Sequence, residues 1–233
     1  MSHTAYIYEA LRTPRAKGKK GGELYEVKPV ALGAGLLVEM QRRHDLDTAR
    51  VDDVVMGCVT PLGEQAGDIG KTIVQYAQWH ESVPGLQIDR FCASGLEAFN
   101  LAAMKVASGW EDLVVAGGIE SMSRVPMGSA GGAWFIDPEF SIQSTIIPQG
   151  LGADTIASLD GYSREEVDRF AMQSQQRAAH AQASGYFDRS VVPVVDRLGQ
   201  VILAKDAFIK PNTTMEVLAV SYTHLTLPTI PGV

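Results

Sequence analysis

Cys92 is the residue whose surroundings best fit a reaction. It stands in Arg90-Phe91-Cys92-Ala93-Ser94-Gly95, where a short apolar run around Leu86 and Ile88 gives way to a helical pattern. Backbone N–H groups at a helix start favour a thiolate and can hold a developing oxyanion. Ala93, Ser94 and Gly95 are small enough to leave the backbone approachable. A thiolate so placed is a good nucleophile toward a thioester carbonyl, because exchange between thioesters is nearly balanced in energy. A lone cysteine is as often a small buried hydrophobe, and on residue types alone both readings stay open. Cys58, mid-run between Gly57 and Val59, reads as packing.

Other motifs fail on spacing. Gly70-Lys71-Thr72 resembles the end of a phosphate loop, but the pattern needs glycine where Gln65 stands. Gly150-Leu151-Gly152 falls short of a dinucleotide fingerprint, since Thr155 occupies the third glycine position. His80-Glu81 lacks the second histidine of a zinc helix, and the five histidines show no ligand spacing, so no metal site is expected. Gly117 to Ser121 misses the Gly-x-Ser-x-Gly of a serine hydrolase.

The elements that would position Cys92 follow from periodicity. Ala5 to Leu11 reads as a first strand. Pro29 opens a helix reaching about His44, with Val30, Gly33, Leu37 and Met40 on one face. Val54 to Val59 has the continuous apolar character of a strand buried on both sides. A helix is expected from Asp68 to Gln78, with Ile69, Ile73, Tyr76 and Ala77 inward, then a short strand at Leu86–Ile88. The helix after Cys92 should turn Leu96, Phe99, Ala103 and Val106 inward and stop at Gly109. Asp112 to Gly118 returns as another strand. This alternation predicts an α/β fold with a parallel sheet covered by helices on both sides. Residues 123–160, rich in Gly, Ser and Pro, read as loops and short elements. Ser163-Arg164-Glu165-Glu166 is a capping box opening a helix with Val167, Phe170, Ala171, Ser174, Ala178 and Ala181 inward, closed by Gly185. Val191 to Val195 reads as a short strand.

Composition narrows the classes. The chain has 233 residues and a formal charge of −7, and 45% of it is hydrophobic. A pI near 5.2 argues against a nucleic-acid partner, which needs a basic face. No apolar stretch approaches the roughly 18 residues of a membrane span. Met1 to Ala10 has neither the basic nor the apolar region of a secretory signal. With two cysteines and no Cys-x-x-Cys, a reducing cytoplasm is the expected compartment.

Four segments, in order and spacing, resemble the thiolases, the acetyl-CoA acetyltransferase and 3-ketoacyl-CoA thiolase family. They are Ile7 to Pro14, Arg90-Phe91-Cys92-Ala93-Ser94-Gly95-Leu96-Glu97-Ala98, Ala116-Gly117-Gly118-Ile119-Glu120-Ser121-Met122-Ser123, and Ser163 to Gln176 continuing through Gly185-Tyr186-Phe187 to Val192-Pro193. The resemblance covers about residues 5 to 218. It implies a layered αβαβα fold, here the N-terminal half with an inserted loop domain. Residues 1–122 would form the nucleophile-bearing α/β domain and 123–219 a loop domain over CoA.

The resemblance also implies a mechanism. Cys92 would take an acyl group from acyl-CoA, which then condenses with acetyl-CoA; in reverse, CoA cleaves a 3-ketoacyl-CoA. CoA and acyl-CoA enter as substrates, with no permanently bound cofactor and no metal, and the full-length protein would be a homodimer or tetramer. Pro148-Gln149-Gly150 stands where many relatives carry His-Met-Gly, which places Pro148 and Gln149 beside the acyl-CoA pocket. The family's second half supplies Asn-Glu-Ala-Phe, Gly-His-Pro and Cys-x-Gly-Gly motifs that do not occur here, so the chain is expected to be a truncated acyltransferase with little activity alone. A noncatalytic thiolase-like binding fragment and a 3-ketoacyl synthase-like condensing enzyme are the contrasting readings. Residues 220–233 depart from the family pattern, which continues with a basic, Pro-containing segment; an artefact of cloning, sequencing or assembly is the expectation there.

Overall fold

A computed structural model describes residues 4–220; of the atypical tail, positions 221–233 lie outside the described residues. The chain divides into two compact units. The first comprises the described residues up to Ala130 together with Asp188–Phe208, and the second Gly131–Phe187 with the described residues from Ile209 to Val220. Thus 188–208, which the sequence groups with the loop domain, belongs with the first unit.

In the first unit, α1 (Pro29–His44) begins with proline, whose missing N–H and fixed φ suit a first helical turn. It leads to β1 (Asp53–Gly57), α2 (Ile69–Tyr76), β2 (Leu86–Ile88), α3 (Ser94–Ala107) and β3 (Val114–Gly118). The sheet is parallel with order β2-β1-β3, Gly57 standing opposite Ile88 on one side and Gly118 on the other. All five β1 residues are buried, as a central strand with helices on both faces requires. Alternation sorts its side chains. Val54 and Met56 join Ala34 and Leu37 of α1 and Ile73 and Val74 of α2 in the main core. Asp53 and Gly57 point the other way, to Lys105 and Ser94 of α3.

Three sequence expectations change. Residues 5–11 form no strand: pairing starts only at Arg12, whose amide donates to Ser190 O at 2.9 Å and whose carbonyl accepts from Val192 at 2.9 Å. Tyr6, Ile7 and Tyr8 are exposed. Alternating apolar residues make a strand only where a neighbour supplies hydrogen bonds, and among the described residues none does. In α2, Tyr76 is exposed. The face of α3 is also reversed, with the small residues Ser94, Ala98 and Ala102 buried while Leu96 is 64% and Phe99 43% exposed. Small side chains let the helix approach the sheet closely, and the bulky stripe faces outward.

The first unit ends with β4 (Val194–Val195) and β5 (Val201–Leu203), an antiparallel pair. The second unit is helical: α4 (Ala133–Ile136), α5 (Pro138–Gln143), α6 (Gln149–Asp160), α7 (Arg164–Ala183) and α8 (Met215–Ala219). α6 is a twelve-residue helix within the stretch read as loops. Its Gly150, Gly152 and Thr155 are weak helix formers, and Pro148 before it provides no side-chain cap. α7 carries the expected capping box, with Ser163 and Glu166 exchanging hydrogen bonds, but Val167 and Phe170 are exposed and no residue of the helix is fully buried. No helix among the described residues is long and apolar enough to cross a membrane.

Candidate active site

The turn between β2 and α3 is built around two short side chains. Asp89 accepts from the Phe91 amide at 2.8 Å. The Ser94 hydroxyl accepts from the Arg90 amide at 2.8 Å and donates to the Phe91 carbonyl at 2.6 Å. These bonds hold Phe91 at φ +48°, a left-handed conformation that costs an ordinary residue about 1–2 kcal/mol. Strain of this kind persists only where the surroundings over-determine it, and it concentrates at functional sites.

The next residue is Cys92, and it is exposed. The Ala93 and Ser94 amides are taken up by the Arg90 and Phe91 carbonyls, whereas the Cys92 amide has no acceptor among the described residues. A solvent-facing thiol therefore sits beside a free N–H at the head of a fourteen-residue helix. An incoming carbonyl can meet both, the sulfur at carbon and the N–H at oxygen.

The sheet supports this turn from below. A Cβ on Gly57 would lie 2.4 Å from the Ser94 carbonyl carbon and 2.7 Å from the Gly95 nitrogen. The end of β1 is in backbone contact with the first turn of α3, and only glycine fits. Gly118, at the end of β3, faces the same turn: its Cβ would lie 3.6 Å from the Gly95 Cα.

Cys58 is placed oppositely. It is buried in the core, where desolvation, reinforced by the Glu120 charge, pushes its thiol up to about 11. Beside it lies a polar cluster that the sequence did not reveal. Gln65, fully buried in the short 3-10 turn Gly63–Gln65, donates through Nε2 to Thr60 O at 2.9 Å, Glu120 Oε1 at 2.9 Å and Cys58 Sγ at 3.6 Å. Its Oε1 accepts from the Ser121 amide at 2.6 Å. Glu120 Oε2 accepts from the Val59 amide at 2.8 Å. A glutamine between small polar residues carries no local signal for such a role; it entered the sequence reading only as the residue that spoils a phosphate loop.

Pro148 and Gln149 belong to the second unit. Both are exposed, Pro148 immediately before α6 and Gln149 as its first residue. A shallow cavity of about 330 Å³ in this unit is lined by Lys210, Pro211, Asn212, Thr213 and Val217, not by that pair. No cluster of three or more His, Cys, Asp or Glu among the described residues could hold a metal ion.

The model of the thiolase N-terminal domain matches residues 5–224. The chain belongs to the thiolase family. It is 37% identical over 238 residues to the beta-ketoadipyl-CoA thiolase of Pseudomonas knackmussii, an alignment covering 94% of this chain and 59% of that protein. It is 36% identical over 209 residues to a steroid 3-ketoacyl-CoA thiolase of Mycobacterium tuberculosis, covering 84% and 50%. Among solved structures, the acetyl-CoA acetyltransferase of Bacillus anthracis superposes with a TM-score of 0.79 at 31% identity, covering 94% of this chain and 58% of that one. This thiolase-family chain thus spans between half and three-fifths of the length of these curated relatives.

Proposed function

We propose that the protein is an acyl-CoA acyltransferase of the thiolase type and that Cys92 is its nucleophile. The sulfur of Cys92 attacks the thioester carbonyl carbon of acyl-CoA. The carbonyl oxygen takes up negative charge beside the Cys92 N–H, and the carbon–sulfur bond to CoA breaks, with CoA leaving as the thiolate. The acyl-enzyme then passes its acyl group to the α-carbon of acetyl-CoA in a Claisen condensation. Run in reverse, the Cys92 sulfur attacks the 3-keto carbonyl of a 3-ketoacyl-CoA, the bond between C2 and C3 breaks and releases acetyl-CoA as its α-carbon takes up a proton, and the thiolate of CoA then attacks the acyl-enzyme carbonyl to release acyl-CoA and the Cys92 thiolate. CoA and acyl-CoA are substrates throughout.

One observation carries this reading. Cys92 is exposed on a strained turn at the head of α3, beside its own uncommitted amide, in a chain of thiolase sequence. The condensation also needs a base to remove the α-proton of acetyl-CoA, and no described residue is assigned that part. Acylation is therefore the half-reaction this chain can be asked to perform. The second unit, Gly131–Phe187 with residues 209–219, is proposed to lie over CoA, with Pro148 and Gln149 beside the acyl group, and the full-length protein is proposed to be a homodimer or tetramer.

The test is mass spectrometry of the chain after exposure to acetyl-CoA. One acetyl group is expected on the peptide containing Cys92 and none on Cys92→Ser. A chain folded by far-UV circular dichroism that leaves Cys92 unmodified would overturn the reading. If it also bound CoA, it would be a noncatalytic thiolase-like module.

A further inference from the structure

The buried cluster around Gln65 has no part in the chemistry just described, yet it ties together the two chain segments beneath the nucleophile. β1 and β3 end at Gly57 and Gly118, the glycines facing Ser94 and Gly95. Both strands continue directly into residues held by Gln65 and Glu120. After Gly57, the Val59 amide donates to Glu120 and the Thr60 carbonyl accepts from Gln65. After Gly118, the Ile119 amide donates back to the Gly57 carbonyl at 3.0 Å and the Ser121 amide to Gln65. The neighbouring Glu64 adds a second tie to the same segment, a two-pronged ion pair with Arg124 at 2.5 and 2.6 Å.

A fully buried glutamine with every polar group engaged holds one geometry, because breaking any of its bonds leaves a desolvated partner behind. The Gly57 contact leaves no slack to absorb movement of the strand ends. A shift there must be passed to Ser94 and Gly95, and through the Ser94 hydroxyl to the turn that carries Cys92.

We propose that Gln65 and Glu120 are positioning residues for Cys92: by locking the ends of β1 and β3 they fix the seat of α3's first turn and so the aim of the sulfur and amide at the thioester. This rests on the reading of Cys92 as nucleophile. Because the pair acts on geometry and not on substrate, its loss lowers the rate of acyl transfer at saturation and leaves the half-saturating acetyl-CoA concentration in place. A displacement of about 1 Å at a reacting group is worth up to roughly 100-fold in rate.

The experiment measures Cys92 acetylation in the full chain by mass spectrometry over a range of acetyl-CoA concentrations. It compares the unaltered chain with Gln65→Met, Glu120→Gln and Ile73→Val, the last a core change in α2 that lowers stability and removes none of the hydrogen bonds of the cluster. Rates are taken per folded molecule, from melting curves on the same samples. The expected result is a limiting rate lowered roughly 10- to 100-fold in Gln65→Met, less in Glu120→Gln, which keeps one acceptor oxygen, and unchanged in Ile73→Val. Half-saturation should stay within about two-fold in all three. If Gln65→Met fails to fold, Glu120→Gln decides alone. Limiting rates equal to the unaltered chain, or lowered equally in Ile73→Val, overturn the positioning role and leave the nucleophile standing. No acetylation of the unaltered, folded chain removes the nucleophile and this inference together.

Discussion

Gly57→Ala probes the closest contact beneath Cys92. The new methyl carbon would stand 2.4 Å from the Ser94 carbonyl carbon and 2.6 Å from its oxygen, where carbon atoms pack comfortably at about 3.5–4.0 Å. The obstacle is backbone on both sides: β1 is clamped between β2 and β3, and α3 is anchored on the sheet through Ala98 and Ala102. No rotamer can relieve the clash, so the first turn of α3 must retreat by about 1 Å. Overpacking of this kind costs about 1–3 kcal/mol, and rigid backbone on each side puts this case at the upper end. The melting temperature should therefore fall by about 6–12 °C, and Cys92 acetylation at saturating acetyl-CoA by up to about 100-fold. Gly117→Ala is the matched control, since its methyl would meet only the Met56 side chain, at 3.3 and 3.5 Å, and methionine moves readily. Thermal melting followed by circular dichroism, with acetylation per folded molecule, checks both. A Gly57→Ala chain as stable and as quickly acetylated as Gly117→Ala would refute the claim that the strand end seats the nucleophile turn.

Lys105 sits between Asp53, with which it makes a close ion pair, and Glu111, at 2.8 Å, all three side chains largely buried. Lys105→Met should cost about 3–5 kcal/mol in a urea titration, because it strands two carboxylates. Asp206 accepts two hydrogen bonds from Arg12, at 2.7 and 2.8 Å, and one from the Arg15 amide; the Arg12 bonds hold its carboxyl below the ordinary 3.8. The folded value lies under the unfolded one, so this contribution is complete above about pH 4 and fades as pH falls through the folded value. Asp206→Asn should flatten the acid limb of a stability–pH curve and leave its neutral shape unchanged. Ser163→Ala removes the cap on the Glu166 amide, worth about 1 kcal/mol, and should speed hydrogen exchange in the first turn of α7.

What could be read from the residues, and what could not, divides along a physical line. Local rules succeeded where a local cause suffices. Pro29 set the start of α1, the Ser163–Glu166 pair opened α7, and the unbroken apolar run of β1 announced a strand covered on both sides. They failed where the answer depends on what lies opposite. In α3, apolar residues stand on both faces, and size rather than hydrophobicity decides which one meets the sheet: Ser94, Ala98 and Ala102 can approach Gly57 and Gly118, and Leu96 and Phe99 cannot. Ala5 to Leu11 has the alternation of a strand but no hydrogen-bonding neighbour before Arg12.

The candidate site shows the same split. Cys92, the proposed nucleophile, was visible because a candidate for reaction is marked by a residue type and a motif. Gln65 and Glu120, the proposed positioning residues, were not, because such a role belongs to a distance, here between segments more than fifty residues apart in sequence. The two kinds of residue should also answer substitution differently. Replacing Cys92 should remove the proposed reacting atom and stop acylation outright, whatever the fold does. Replacing a residue that aims the atom leaves the atom in place and degrades the rate in proportion to the displacement. A graded series at Gln65, falling in step with the hydrogen bonds retained, would separate a device that orients the sulfur from one that only keeps the chain folded.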